Sequence, residues 1–100
     1  MRLTYPTTLV LQALLQGHHH GFDIMDATGL PSGTVYPILR RLDAESYVRS
    51  RWEKDGLARR EQRPPRRYYE LTATGRHLAI EAGSRYRSIQ DVLNPAKSER

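Results

Sequence analysis

Cysteine is absent from the 100 residues, which excludes disulfides, thiolate metal ligands and a thiol nucleophile. Large aromatic anchors are scarce, with one tryptophan and one phenylalanine. Only 38% of the residues are hydrophobic, so the core must be modest. A chain this short also hides a smaller share of its surface than a large one, and a partner subunit would offset part of that deficit. No apolar run approaches the ~18 residues needed to span a bilayer. The stretch Leu9–Leu15 is interrupted by Gln12 and has no small-residue cleavage site after it. These absences lead us to expect one cytoplasmic domain with no membrane association. No nucleophile–base pair, glycine-rich phosphate loop or paired-carboxylate spacing is present. We therefore expect no catalytic residue, no cofactor and no enzyme activity. His18, His19 and His20 form a short histidine tract of a kind that can bind metal. Three consecutive rings in a turn cannot all face one ion, and Asp23 is the lone acid beside them. No metal site is expected, and His20 is expected to pack within its turn.

What the chain does have is positive charge, all of it in one place. The net charge is +5. Between Arg49 and Arg67 lie eight basic and three acidic side chains, and the rest of the chain sums to zero. Charge concentrated in this way is an electrostatic footprint for a polyanion. Composition alone fits a solvated arginine-rich loop equally well, so the flanking elements decide.

Pro6 is suited to the first turn of a helix, where its missing N–H is no loss. A broad apolar face follows, from Leu9 to Leu15, and Gly17 ends it, which predicts a first helix over about 6–16. After a turn at His18–Gly21 comes a short second helix, about 21–28, expected to bury some of Phe22, Ile24, Met25 and Thr28. Gly29 and Pro31 terminate it. The third helix, about 32–45, is the clearest. Ser32 is a candidate N-cap, and Val35, Ile38, Leu39 and Leu42 make one apolar stripe. Pro37 falls in the second turn, where a bend is expected. Residues 47–53 alternate, with Val48, Ser50 and Trp52 on one face and Arg49, Arg51 and Glu53 on the other. Trp52 is expected in the core. Residues 67–71 form a second strand, and the two make a hairpin joined by a long loop through Gly56, Pro64 and Pro65, whose tip is expected to be mobile. Thr72 caps a last helix, 72–93. Its Leu78, Ala82, Tyr86, Ile89 and Leu93 recur at near-heptad spacing, the pattern of a dimerisation seam. Residues 94–100 are expected to fray.

The fold class is thus α+β, mainly α: a winged helix-turn-helix over residues 1–71, with three helices and a two-stranded wing, followed by a C-terminal dimerisation helix. In such folds the second helix of the pair enters the major groove N-terminus first. Here that is the third helix. Ser32, Gly33 and Thr34 let the backbone come close to DNA, and the helix N-terminus suits a phosphate. Tyr36 and Pro37 lie on the solvent side. Arg40 and Arg41 follow, and an arginine there reaches a phosphate or both acceptors of a guanine. Arg51, Arg59, Arg60, Arg63, Arg66 and Arg67 of the wing are expected to follow the backbone or enter the minor groove.

Ser32–Leu42 (Ser-Gly-Thr-Val-Tyr-Pro-Ile-Leu-Arg-Arg-Leu) followed by Tyr47-Val48 resembles the PadR family of transcriptional regulators. So do Arg66–Thr72 with Gly75-Arg76, and His20-Gly21-Phe22, where the family has His-Gly-Tyr. The likeness runs over about residues 6–90. It implies a winged-helix repressor, dimeric through the final helix and usually answering to a small molecule. Two features depart from the family. Ser46 stands where the family usually has a glycine after the third helix. The last helix carries no tryptophan of the kind that sandwiches flat drugs in other members, and their long C-terminal helical domain is not expected here.

The leading expectation is a homodimeric, sequence-specific regulator of transcription on double-stranded DNA. Its operator would be palindromic, with recognition helices about 34 Å apart. Two alternatives remain at this stage. One is an architectural protein that coats DNA without reading it. The other is a protein-interaction module acting through the last helix.

Overall fold

A computed structural model describes residues 2–54 and 56–93; the expectation for the 94–100 tail lies outside them. The elements run α1 (Tyr5–Leu15), α2 (Gly21–Thr28), α3 (Ser32–Ala44), β1 (Val48–Trp52), α4 (Leu57–Arg60), β2 (Arg67–Leu71) and α5 (Ala73–Leu93). The order matches the expected winged helix with one addition. The loop between the strands contains the helical turn α4, which buries Ala58. No alternation or stripe marks so short a segment in the sequence.

Local chemistry sets the boundaries. Thr4 caps α1, its hydroxyl accepting from the Thr7 N–H, and Pro6 sits in the first turn. Gly29 closes α2 in the left-handed conformation, φ 74°. The N-cap of α3 is Pro31 and not Ser32, and no side chain caps that end. α3 runs on through Pro37 to Ala44, carried by its buried stripe. Thr72 caps α5 as expected, accepting from Gly75 N–H at 3.0 Å.

The core gathers Val10, Leu11 and Leu14 of α1, Ile24 of α2, Val35, Ile38, Leu39 and Leu42 of α3, Val48 and Tyr69 of the hairpin, and Ala79 and Ala82 of α5. Two expected core residues are outside it. Phe22 is 74% exposed and Trp52 is 61% exposed. Trp52 does share a face with Val48 and Ser50, but it lies at the far end of β1, beyond the helices that cover Val48.

α1 and α5 run antiparallel. Gln12 Nε2 donates to the Ala79 carbonyl at 2.6 Å, and Tyr5 stacks on Tyr86 with ring centroids 4.9 Å apart. Gly83 makes room for the Gln12 amide. α1 begins at Tyr5, so among the described residues no helix lies over the last two turns of α5. The longest dimension of the molecule is 52 Å. No helix among the described residues is long and apolar enough to cross a membrane.

Candidate nucleic-acid interface

The stripe of α3 faces the core, and the opposite side is open. Ser32, Gly33, Tyr36, Arg40 and Arg41 are exposed, while Thr34 and Pro37 are half-buried. A Cβ at Gly33 would meet nothing, so the fold itself does not require a glycine there. The uncapped N-terminus leaves the first N–H groups of α3 to solvent or to a ligand. Tyr36 packs edge-on against Gly21, where a side chain would collide with its ring. That contact leans Tyr36 toward the hairpin.

β1 and β2 pair antiparallel with Val48 opposite Leu71, Ser50 opposite Tyr69 and Trp52 opposite Arg67. Directly opposed residues share a face. Arg67 therefore lies beside Trp52, its guanidinium 5.5 Å from the indole centroid, with Ser50 Oγ at 2.7 Å and Asp43 at 3.8 Å. Arg51 pairs with the other face. It sits over the Tyr68 ring and 3.7 Å from Glu70. The structure thus brings Arg67 and Tyr36 to one cleft with Arg66, and turns Arg51 away from it. Arg59 and Arg60 are exposed on α4 at the wing tip.

Arg63 has a different position from the one expected. Its two terminal nitrogens each donate to a Glu53 oxygen at 2.8 Å, and its Nε donates to Glu61. Glu53 was expected on the outer face but is buried, and it also accepts from the Arg66 N–H and the Tyr68 hydroxyl. The Arg63 bonds outweigh desolvation and hold the Glu53 carboxyl at about 2. Arg63 is thereby committed to holding the wing together and has little left for a phosphate. Sequence alternation cannot reveal this, because the partners are ten residues apart across an irregular loop.

The three histidines take three partners. His18 meets Asp23 at 3.0 Å, His19 Nδ1 is 3.0 Å from the Tyr69 carbonyl, and His20 caps α2 by accepting from the Asp23 N–H. Burial, then the nearby Arg66 guanidinium, push the His20 imidazole below its usual range. Among the described residues no group of His, Cys, Asp or Glu could hold a metal ion.

The expected dimer seam divides into two parts. Ala82 is 2% exposed within the core and Leu78 packs against the same cluster, so neither faces outward. Tyr86 is covered by Tyr5. Ile89 (56% exposed) and Leu93 (72%) continue the stripe into solvent, joined by Val92, which the heptad reading missed.

A helix pair closed by a tight turn, an exposed second helix and an adjoining cationic hairpin define a winged helix-turn-helix protein. The family model for the transcriptional regulator PadR-like family matches residues 10–81, and the chain belongs to that family. Among solved structures, a PadR family transcription regulator from hypervirulent Clostridium difficile shares 23% identity. That match covers 92% of this chain and 97% of the other, with a TM-score of 0.76. The PcaV transcriptional regulator of Streptomyces coelicolor, solved with its natural ligand, shares 21% over 90% of this chain and 60% of its own, with a TM-score of 0.75. Bordetella bronchiseptica BpsR, whose DNA binding is regulated by 6-hydroxynicotinic acid, shares 24% over 89% and 63% of the two chains, with a TM-score of 0.72. At these identities the likeness is one of fold. Compared with curated proteins, the chain finds no match.

Proposed function

We propose that this protein is a homodimeric repressor that reads double-stranded DNA by seating the exposed face of α3 in the major groove, N-terminus first. One observation carries the reading: Tyr36, on the exposed face of α3 that also bears Gly33 and Arg40, lines the same cleft as Arg66 and Arg67 of the wing. Arg40 reads bases, and Ser32, Gly33 and Thr34 admit the sugar–phosphate backbone to the helix N-terminus. Arg41 on α3, Arg59 and Arg60 at the tip, and Arg66 and Arg67 on the wing supply phosphate contacts that set register without reading sequence. Two copies meet through Ile89, Val92 and Leu93, which makes the operator palindromic. Pairing of Arg51 and Arg63 with carboxylates of the same chain leaves less free charge than a coat protein that ignores sequence would use.

Selection of bound duplexes from a random pool tests the proposal. The expected product is an inverted repeat with half-sites about one helical turn apart. Enrichment of no sequence over background would refute specific reading.

A further inference from the structure

The histidine tract is a sequence feature that the DNA reading leaves unused. It forms the turn between α1 and α2, and it ties the helix pair to the wing. The His19 carbonyl accepts from the Tyr69 N–H at 2.7 Å, His19 Nδ1 lies 3.0 Å from the Tyr69 carbonyl, and His20 forms a β-bridge with Tyr68. The His20 ring stands edge-on to the Tyr68 ring, with centroids 5.8 Å apart. Its Nδ1 accepts from the Asp23 N–H at 3.3 Å and so caps α2. One half-buried imidazole thus holds the start of α2 and meets β2.

The three rings differ in what a proton does to their contacts. A carbonyl oxygen only accepts, so His19 Nδ1 already carries a hydrogen and keeps its bond when the ring is charged. His18 meets the Asp23 carboxylate, a partner that a charged ring also keeps. His20 is the exception. Its Nδ1 must present a lone pair to the Asp23 N–H, and a proton there sets donor against donor. The new charge would also lie at the positive end of the α2 dipole. The groups around it come from every neighbouring element: Arg63 and Arg66 from the wing loop, Glu53 from the end of β1, Tyr68 from β2, Asp23 from α2 and Tyr36 of α3 on the same cleft. The two carboxylates already have partners, Arg63 for Glu53 and His18 for Asp23. Burial, then Arg66, hold the imidazole below its usual range, so the folded turn suits the neutral ring.

We propose that His20 makes DNA binding acid-labile: a proton on its Nδ1 uncaps α2 and parts the turn from β2, so the helix pair and the wing lose their common alignment and the duplex is released. The release rests on the DNA reading above, and the uncapping does not. The sign is diagnostic. Protonating any of the four histidines adds positive charge, which by itself strengthens the hold on a polyanion. A weakening in acid therefore needs a change of shape. Linkage gives the same sense. A base whose pKa is depressed by folding supports the fold fully above the ordinary histidine range, and that support is lost as pH falls below it.

The first test is a nuclear magnetic resonance titration of the full chain without DNA, from about pH 7.5 down to about pH 5. The Asp23 and Tyr68 amide peaks should shift together and share the midpoint of the His20 ring. His20→Asn and His20→Ser each supply a cap that does not titrate, and either should remove that shared step. His18→Gln and His19→Gln should keep it. An Asp23 amide in the parent that ignores the His20 midpoint would overturn the uncapping, whatever the variants do. In a second arm, anisotropy on the selected duplex is read at constant ionic strength. The parent's Kd should rise about tenfold between about pH 7.5 and about pH 5.5, while that of His20→Asn stays level or falls. A parent Kd that stays level or falls in acid, or an equal rise in parent and variant, would overturn the release. A chain that selects no duplex refutes the DNA reading, and the amide titration still decides the uncapping.

Discussion

Glu53 and Arg63 meet in a two-pronged ion pair, both bonds 2.8 Å, at the base of the loop between the strands. The pair clamps the end of β1 to the segment leading into β2, and Glu53 additionally accepts from Arg66 N–H and Tyr68. A buried carboxylate with four donors organises the wing in place of a hydrophobic cluster, for which this segment has too few apolar residues.

Glu53→Gln keeps the shape but leaves Arg63 facing an amide. We expect the wing to loosen, with faster tryptic cleavage after Arg59 and Arg60 and a Tm lowered by about 5 °C. The pH dependence follows from the direction of the shift. The carboxyl is depressed from 4.5 to about 2 in the folded protein. Its contribution is therefore complete above pH ~4.5 and is lost as pH falls through ~2. A melting series from pH 6 to pH 2.5 should show the parent losing stability below pH 4.5 more steeply than Glu53→Gln. Parallel curves would show that the pair does not organise the wing.

Arg40 and Arg59 separate reading from holding. Arg40→Ala should relax preference at one base position of the selected site, at a cost of about 1–3 kcal/mol. Arg59→Ala should weaken all duplexes alike and lower the salt slope by about 1. Anisotropy titrations on the selected duplex and on single-base variants, at several salt concentrations, make the comparison. An Arg40→Ala protein that still discriminates at every position would remove Arg40 from the reading face.

The helices and the hairpin were legible because periodicity survives in single stretches of chain: the Val35–Leu42 stripe, the 48–52 alternation, and Gly29 followed by Pro31. Their packing was less so. Phe22 and Trp52 look like core residues by type, and only the three-dimensional path shows that nothing covers them. Glu53 looks like a surface residue by alternation, and only the return of the loop brings Arg63 onto it. The Leu78–Leu93 repeat is real, but periodicity does not say which part is covered by the chain's own α1. The candidate site was half visible: the α3 face was, while the division of wing arginines between two hairpin faces needed the strand register.

Ser46 and Gly75 hold the junction between α3, β1 and α5. Ser46 adopts φ 63°, the left-handed conformation that favours glycine, and its carbonyl accepts from Thr72 Oγ1 at 2.8 Å. A non-glycine residue there stores about 1 kcal/mol of strain. Ser46→Gly should raise the urea midpoint at unchanged slope. Gly75 is the reverse case, because a Cβ there would run into the Tyr47 backbone carbonyl. Neither backbone can retreat without breaking the Thr72 contacts, so Gly75→Ala should destabilise by about 2–3 kcal/mol. Gly33→Ala, in open space, serves as the control: it should leave stability unharmed and weaken DNA binding. Equal denaturation of the Gly75 and Gly33 variants would contradict this account.

Ile89 tests the dimer. The stripe through Ala79, Ala82, Tyr86, Ile89 and Leu93 is continuous, but α1 starts at Tyr5 and covers it only as far as Tyr86. Ile89, Val92 and Leu93 are left 56%, 79% and 72% exposed, an apolar end that a second copy would cover. Ile89→Asp places a charge at the centre of that contact without touching the core of either subunit. We expect the parent to scatter light as a dimer and to show a Tm that rises with protein concentration. Ile89→Asp should be a monomer with a concentration-independent Tm, and should lose affinity for a full palindrome while keeping its weak affinity for a half-site. Ala82→Asp would also remove the dimer, but by unfolding the chain, so it cannot serve. An Ile89→Asp protein that remains dimeric would move the interface off this end of α5, and with it the spacing expected for the two recognition helices.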